Sequence, residues 1–152
     1  MKVICFGDSI TARYEGLTRP MLTEKLKYKL SIQTEIINAG VFGNNTIQAL
    51  LRIEEDVLKH QPDFVTVLFG ANDAAQHKMV PIDEFEKNIY KIVNLISPTR
   101  TILLTTAPID EALQCNRTNA LLNEYGDCIR RVAKLTKCHL IDFFFYFDRD
   151  QI

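Results

Sequence analysis

Phe64-Val65-Thr66-Val67-Leu68-Phe69 reads as a β-strand whose two faces are both mostly apolar. An antiparallel strand with one wet face would alternate apolar with polar, whereas this run needs helices above and below it, as in a parallel sheet built from helical crossovers. Immediately after it, Gly70-Ala71-Asn72-Asp73 breaks the apolar pattern and forms a loop. Working outward, four further stretches rich in Val, Ile, Leu or Phe read as strands: residues 2–6, 34–38, 101–106 and 139–143.

Helical spacing fills the intervals. Phe85, Ile89, Ile92, Val93 and Ile96 recur at three and four and draw one apolar stripe. Asn45 followed by Gln48 has the form of a capping box, after which Ile47, Leu50, Leu51, Val57 and Leu58 are expected to face one side until Pro62 ends the run. Leu22, Leu26 and Leu30 mark a first helix, and Leu122, Tyr125, Ile129 and Val132 a last one. The order β-α-β-α-β-α-β-α-β predicts a three-layer α/β/α domain with a flavodoxin-like, doubly wound, five-stranded parallel sheet in the order 2-1-3-4-5. Right-handed crossovers then put the first helix on one face and the next three on the other.

The 152 residues fit one domain without repeats or linkers. A hydrophobic fraction of 47%, a charged fraction of 24% and a formal net charge of -1 exclude a disordered chain and give no electrostatic reason to expect nucleic acid as a partner. No apolar run reaches the roughly 18 residues of a membrane helix, and the chain enters a strand at once instead of a signal peptide, so no membrane association and a cytoplasmic location are expected. Cys5, Cys115, Cys128 and Cys138 show no metal or redox spacing and read as buried, reduced thiols.

In a doubly wound sheet, ligands bind beyond the carboxyl ends of the strands, at the point where the strand order reverses. The loops flanking that point carry Gly7-Asp8-Ser9 and Gly70-Ala71-Asn72-Asp73. A serine at a strand-to-loop transition can project over the sheet edge as a nucleophile while its own N–H remains a donor for an oxyanion. Gly43, in the loop after the second strand, offers an N–H that a ligand can approach closely, and Asn72 offers a side-chain amide. Taken singly, Gly-Asp-Ser is an ordinary turn, Gly43 a helix-entry residue and Asn72 an Asx turn.

Taken in order along successive strands, Phe6-Gly7-Asp8-Ser9-Ile10-Thr11, Asn38-Ala39-Gly40-Val41-Phe42-Gly43 and Gly70-Ala71-Asn72-Asp73 resemble the blocks of the SGNH hydrolases, the GDSL esterase/lipase family. The resemblance implies ester hydrolysis through an acyl-serine on Ser9, with the Ser9 N–H, the Gly43 N–H and the Asn72 amide as the oxyanion hole. The implied substrates are small acyl esters or acetylated sugars, and no metal or organic cofactor is implied. The family's Asp-x-x-His block, which supplies base and orienting acid, has no counterpart. Asp148-Arg149-Asp150-Gln151 has glutamine in the histidine's place and comes soon after Asp142. The expectation is a domain trimmed at its C-terminal end, lacking the closing helix and impaired as an enzyme. His60 and His139 are expected on the rim opposite Ser9, and His77, five residues after Asn72, stands nearest as a substitute base. The loops 74–80 and 108–116, the latter with Asp110 and Glu111, are expected to border the substrate.

Without a closing helix, one sheet face is expected to be half covered, with Phe143-Phe144-Phe145-Tyr146-Phe147 adding apolar surface, which favours a homodimer or an exchanged element. A non-catalytic ligand-binding scaffold of the same architecture is the alternative function. A nucleotide-binding domain is disfavoured, since neither Gly-x-Gly-x-x-Gly nor a Walker motif occurs.

Overall fold

A computed structural model describes residues 1–148 of the chain. Five parallel strands, β1 (Lys2–Gly7), β2 (Glu35–Gly40), β3 (Phe64–Leu68), β4 (Thr101–Leu104) and β5 (His139–Ile141), lie in the order β2-β1-β3-β4-β5. The registers Cys5↔Asn38, Cys5↔Thr66, Thr66↔Ile102 and Ile102↔His139 define one line of side chains across the sheet. The fold class and the strand order expected from the alternation of patterns are those observed.

Among the described residues, six α-helices connect and flank the strands: α1 (Ser9–Ala12), α2 (Met21–Lys29), α3 (Thr46–Asp56), α4 (Ile82–Ile96), α5 (Asn119–Thr136) and α6 (Phe143–Asp148). On one face, Ile4, Phe6, Val65, Val67 and Leu103 pack with residues of α3, α4 and α5 into the main core. On the other, Val3, Cys5 and Ile36 are covered by Leu26 of α2. Beyond α2 this second face is thinly clad, with Thr66 and Ile102 half-buried and Ile141 39% exposed. Among the described residues, no helix is long and apolar enough to cross a membrane.

The apolar stripes of α4 and α5 are buried as their spacing requires. In α3 the capping box forms, with Asn45 and Gln48 bonding reciprocally, but the rotation differs from the expected one. Thr46, Ala49, Ile53 and Val57 face the core, while Ile47 is 42% and Leu51 83% exposed. The reason is polar: the Thr46 N–H and hydroxyl both bond to buried Asp73, and that anchor fixes which side of the helix turns inward.

Two short helices were absent from the sequence expectation. α1 starts directly at Ser9, and α6 takes over the end of what reads as the fifth strand. Asp142 stops β5 because it caps α6, accepting from the Phe145 N–H while its other bonds run to Thr105 and in bidentate fashion to Arg130. Phe144 turns into the core, and Phe145, Tyr146 and Phe147 are exposed. All four cysteines are free, yet only Cys5 and Cys128 are buried; Cys115 is exposed, and Cys138 is half-buried at the margin of the main core, against which it packs.

Candidate active site

β1 delivers its chain into a short helix whose first residue is Ser9. Asp8, the residue before it, is buried and caps the helix by accepting from the Ile10 N–H at 2.9 Å. α1 is held against β2 by Asn38, whose amide donates to Thr11 O at 2.8 Å and whose carbonyl accepts from Gly40 N. The Ser9 N–H, at a helix start where no intrahelical acceptor exists, makes no hydrogen bond among the described residues.

The turn after β2 places Gly43 at φ +74°, a left-handed conformation that favours glycine. Its N–H is likewise without an acceptor among the described residues, and its carbonyl accepts from Lys78 at 3.2 Å. The turn after β3 carries Asn72, whose amide donates to Asn44 O at 2.9 Å and to Asp8 Oδ2 at 3.2 Å. Ser9 and Asn72 line one cleft of about 500 Å³ together with Phe42, Thr106, Ile109 and Arg117. Gly43 does not line that cleft itself; its neighbour Phe42 does, and Asn44 joins its turn to Asn72.

The histidines fall apart from Ser9. His60 accepts from Lys2 through its carbonyl and His139 opens β5, so both belong to the amino-terminal rim. His77 is exposed on the loop after Asn72, outside the cleft lining. None of the three hydrogen-bonds Ser9 among the described residues. Of the Asp148-Arg149-Asp150-Gln151 segment, only Asp148 is within the described residues, as the last residue of α6. Asp110 accepts from Ala112 N and Glu111 from Asn119 N, so both carboxylates stabilise their own loop. Among the described residues, no group of three or more His, Cys, Asp or Glu side chains is placed to hold a metal ion.

Two charged groups under the site, Arg52 and Asp73, had no signal in the sequence beyond their adjacency to turns. Arg52 of α3 donates to Gly7 O and Ala39 O at 2.9 Å each and to Asn44 Oδ1 at 2.7 Å, and its guanidinium lies 4.6 Å from the Phe6 ring centroid. It thereby ties the ends of β1 and β2 to the turn that carries Gly43. Asp73 is buried; one carboxylate oxygen takes both Thr46 bonds and the other has no hydrogen bond among the described residues. Burial raises its pKa against those bonds.

Asp8 is pushed up from 3.8 to about 6, first by burial and further by the Asp73 carboxylate, with the Ile10 N–H and Arg117 opposing. The folded protein therefore keeps the Asp8 proton up to about pH 6, while the unfolded chain releases it near 3.8. Stability from this group is full below the lower value and is lost as pH rises through the higher one, by about 3 kcal/mol. Urea unfolding at pH 4 and pH 7.5 is expected to show the wild type losing about that much relative to Asp8→Asn, which retains an N-cap acceptor. Equal pH dependence in the two proteins would show that the carboxyl pays no burial cost.

A family model described as GDSL-like Lipase/Acylhydrolase matches residues 5–151. The chain is similar to the human isoamyl acetate-hydrolyzing esterase 1 homolog, with 30% identity over 161 residues covering 88% of this chain and 62% of that protein. It is 27% identical to an acetylxylan esterase of Geobacillus stearothermophilus over 164 residues, covering 93% of this chain and 75% of that one. Among solved structures, a lipase/acylhydrolase from Enterococcus faecalis matches with a TM-score of 0.88 at 29% identity, over 94% of this chain and 76% of the other. An acetyl xylan esterase matches at 0.78 and 34%, over 97% and 79%.

Proposed function

The chain belongs to the GDSL-like lipase/acylhydrolase family, a family of carboxylic ester hydrolases, and from that membership we propose that it cleaves small acyl esters or acetylated sugars through an acyl-serine on Ser9. The observation that carries the reading is the pairing of Ser9 and Asn72 in one cleft, with the Ser9 and Gly43 N–H groups left without acceptors among the described residues. Such unclaimed donors suit an oxyanion, whose stabilisation is a large part of acyl-transfer catalysis.

In the reaction, Ser9 Oγ forms a bond to the ester carbonyl carbon, the carbonyl electron pair moves to oxygen facing the donors, and collapse expels the alcohol, which takes a proton. Water then repeats the attack and frees Ser9. Both attacks release a proton that a base must accept, and among the described residues no histidine hydrogen-bonds Ser9 or lines its cleft, so slow turnover is proposed for this polypeptide. A serine site without its base still retains roughly 10³ to 10⁴-fold catalysis over water from the oxyanion hole and binding. The same observation favours, as a second reading, a scaffold that holds the ester without turning it over.

Covalent capture separates the two. Incubation with an aryl organophosphonate, followed by intact-mass and peptide analysis, is expected to give a single adduct on Ser9. An unmodified Ser9 in a protein that still binds esters supports the scaffold, and modification at another residue refutes the assignment of the nucleophile.

A further inference from the structure

Arg117 lines the same cleft as Ser9 and Asn72. Its guanidinium enters no hydrogen bond and no ion pair among the described residues, and its Nε is buried without an acceptor. Exposed arginines commonly go unpaired because water serves them, whereas Arg117 is half-buried, so its guanidinium is less well solvated and gains more from a partner of opposite charge. Arg117 is held there from two sides: Asn116 O accepts from Gln76 N in the loop that follows Asn72, and Thr118 caps α5 by accepting from Leu121 N. The other arginine of the cleft, Arg13, is paired with Glu15.

Resting on the ester-hydrolase reading of the cleft, we propose that Arg117 is a specificity residue that binds a carboxylate carried by the substrate, so that half-esters of small dicarboxylic acids are preferred over neutral esters of the same size. A guanidinium presents a planar fork that matches a carboxylate. A singly charged group suits the place better than a phosphate dianion, since Asp8 and Asp73 lie beneath the cleft and would repel the second charge. The apolar walls from Ile10, Phe42, Ala107 and Ile109 leave room for a short carbon chain between carboxylate and ester.

The test uses binding, so that it stands apart from turnover. Monomethyl succinate and dimethyl succinate are titrated into the Ser9→Ala protein and followed by calorimetry or by chemical shifts. The monoanion is expected to bind about tenfold more tightly than the neutral diester at low salt, with the preference reduced at high salt, lost in Ser9→Ala/Arg117→Gln and partly restored in Ser9→Ala/Arg117→Lys. Equal affinities for the two esters, a preference that survives Arg117→Gln, or binding of neither ester would overturn the proposal. A kinetic arm with Ser9 intact separates binding from an indirect effect through Asp8: Arg117→Gln is expected to raise KM for the monoanion only, whereas a fall in kcat for both esters would make Arg117 a structural neighbour of Asp8. A binding preference without any hydrolysis would remove the hydrolase reading and leave this inference standing; hydrolysis without preference would do the reverse.

Discussion

Gly40→Ala is expected to destabilise the protein by about 3 kcal/mol and to displace Ser9 at the same time. A Cβ at this position would lie 2.5 Å from Ala12 N and 2.9 Å from Ala12 Cα, both backbone atoms of α1, and 2.9 Å from Asn38 Oδ1. Backbone cannot rotate aside as a side chain does, so the helix that begins at Ser9 has to lift off β2. Lifting it breaks the Asn38 bond to Thr11 O and disturbs the cap that Asp8 provides. Urea unfolding reads the stability, and organophosphonate capture reads the position of Ser9. A variant within 1 kcal/mol of the wild type that is captured at the same rate would show that close packing of α1 on β2 is dispensable.

Asn72→Ala is expected to slow Ser9-dependent ester cleavage by 10² to 10³-fold, roughly the effect of removing one oxyanion donor, with little change in KM. In the resting site both amide protons are already engaged, one by Asn44 O and one, at the longer 3.2 Å, by Asp8 Oδ2. Donation to an oxyanion requires the longer bond to be given up. That exchange is easier while Asp8 still carries its proton, because a neutral carboxyl is the weaker acceptor. Single-turnover acylation with an activated aryl ester measures the step directly, alongside a melting curve to confirm that the turn after β3 is intact. An unchanged acylation rate in a folded Asn72→Ala protein would remove Asn72 from the oxyanion hole and leave it as a tie between two loops.

Legibility in the sequence followed the range of the forces involved. The stripes of α4 and α5 were readable because local spacing and burial agree. The rotation of α3 was not, because one long-range polar anchor, Thr46 to Asp73, outweighs the apolar count that would have buried Ile47 and Leu51. The end of β5 was misread for a related reason: an aromatic run suits a strand, but Asp142, fixed by Arg130 and Thr105, starts a helix there. Burial alone would raise the Asp142 pKa; the bonds from Arg130, Thr105 and Phe145 outweigh it and hold the carboxyl below its ordinary value, so the cap stays charged. Arg52, Asp73 and Arg117 look in sequence like solvent-facing charges, and nothing local distinguishes them.

What the chain's residues determine unaided is the parallel sheet and the rim on which Ser9, Gly43 and Asn72 fall, because strand periodicity and the handedness of crossovers act on any sequence with this alternation. Tertiary structure alone decided the electrostatics of that rim: the raised pKa of Asp8, the two claimed hydrogens of Asn72 and the guanidinium of Arg117, which among the described residues has no hydrogen-bond or ion-pair partner. The physical reason is desolvation. Asp8 and Asn72 are 64 residues apart in the chain, and whether a charge is buried, shared or left without a partner depends on which segments close over it.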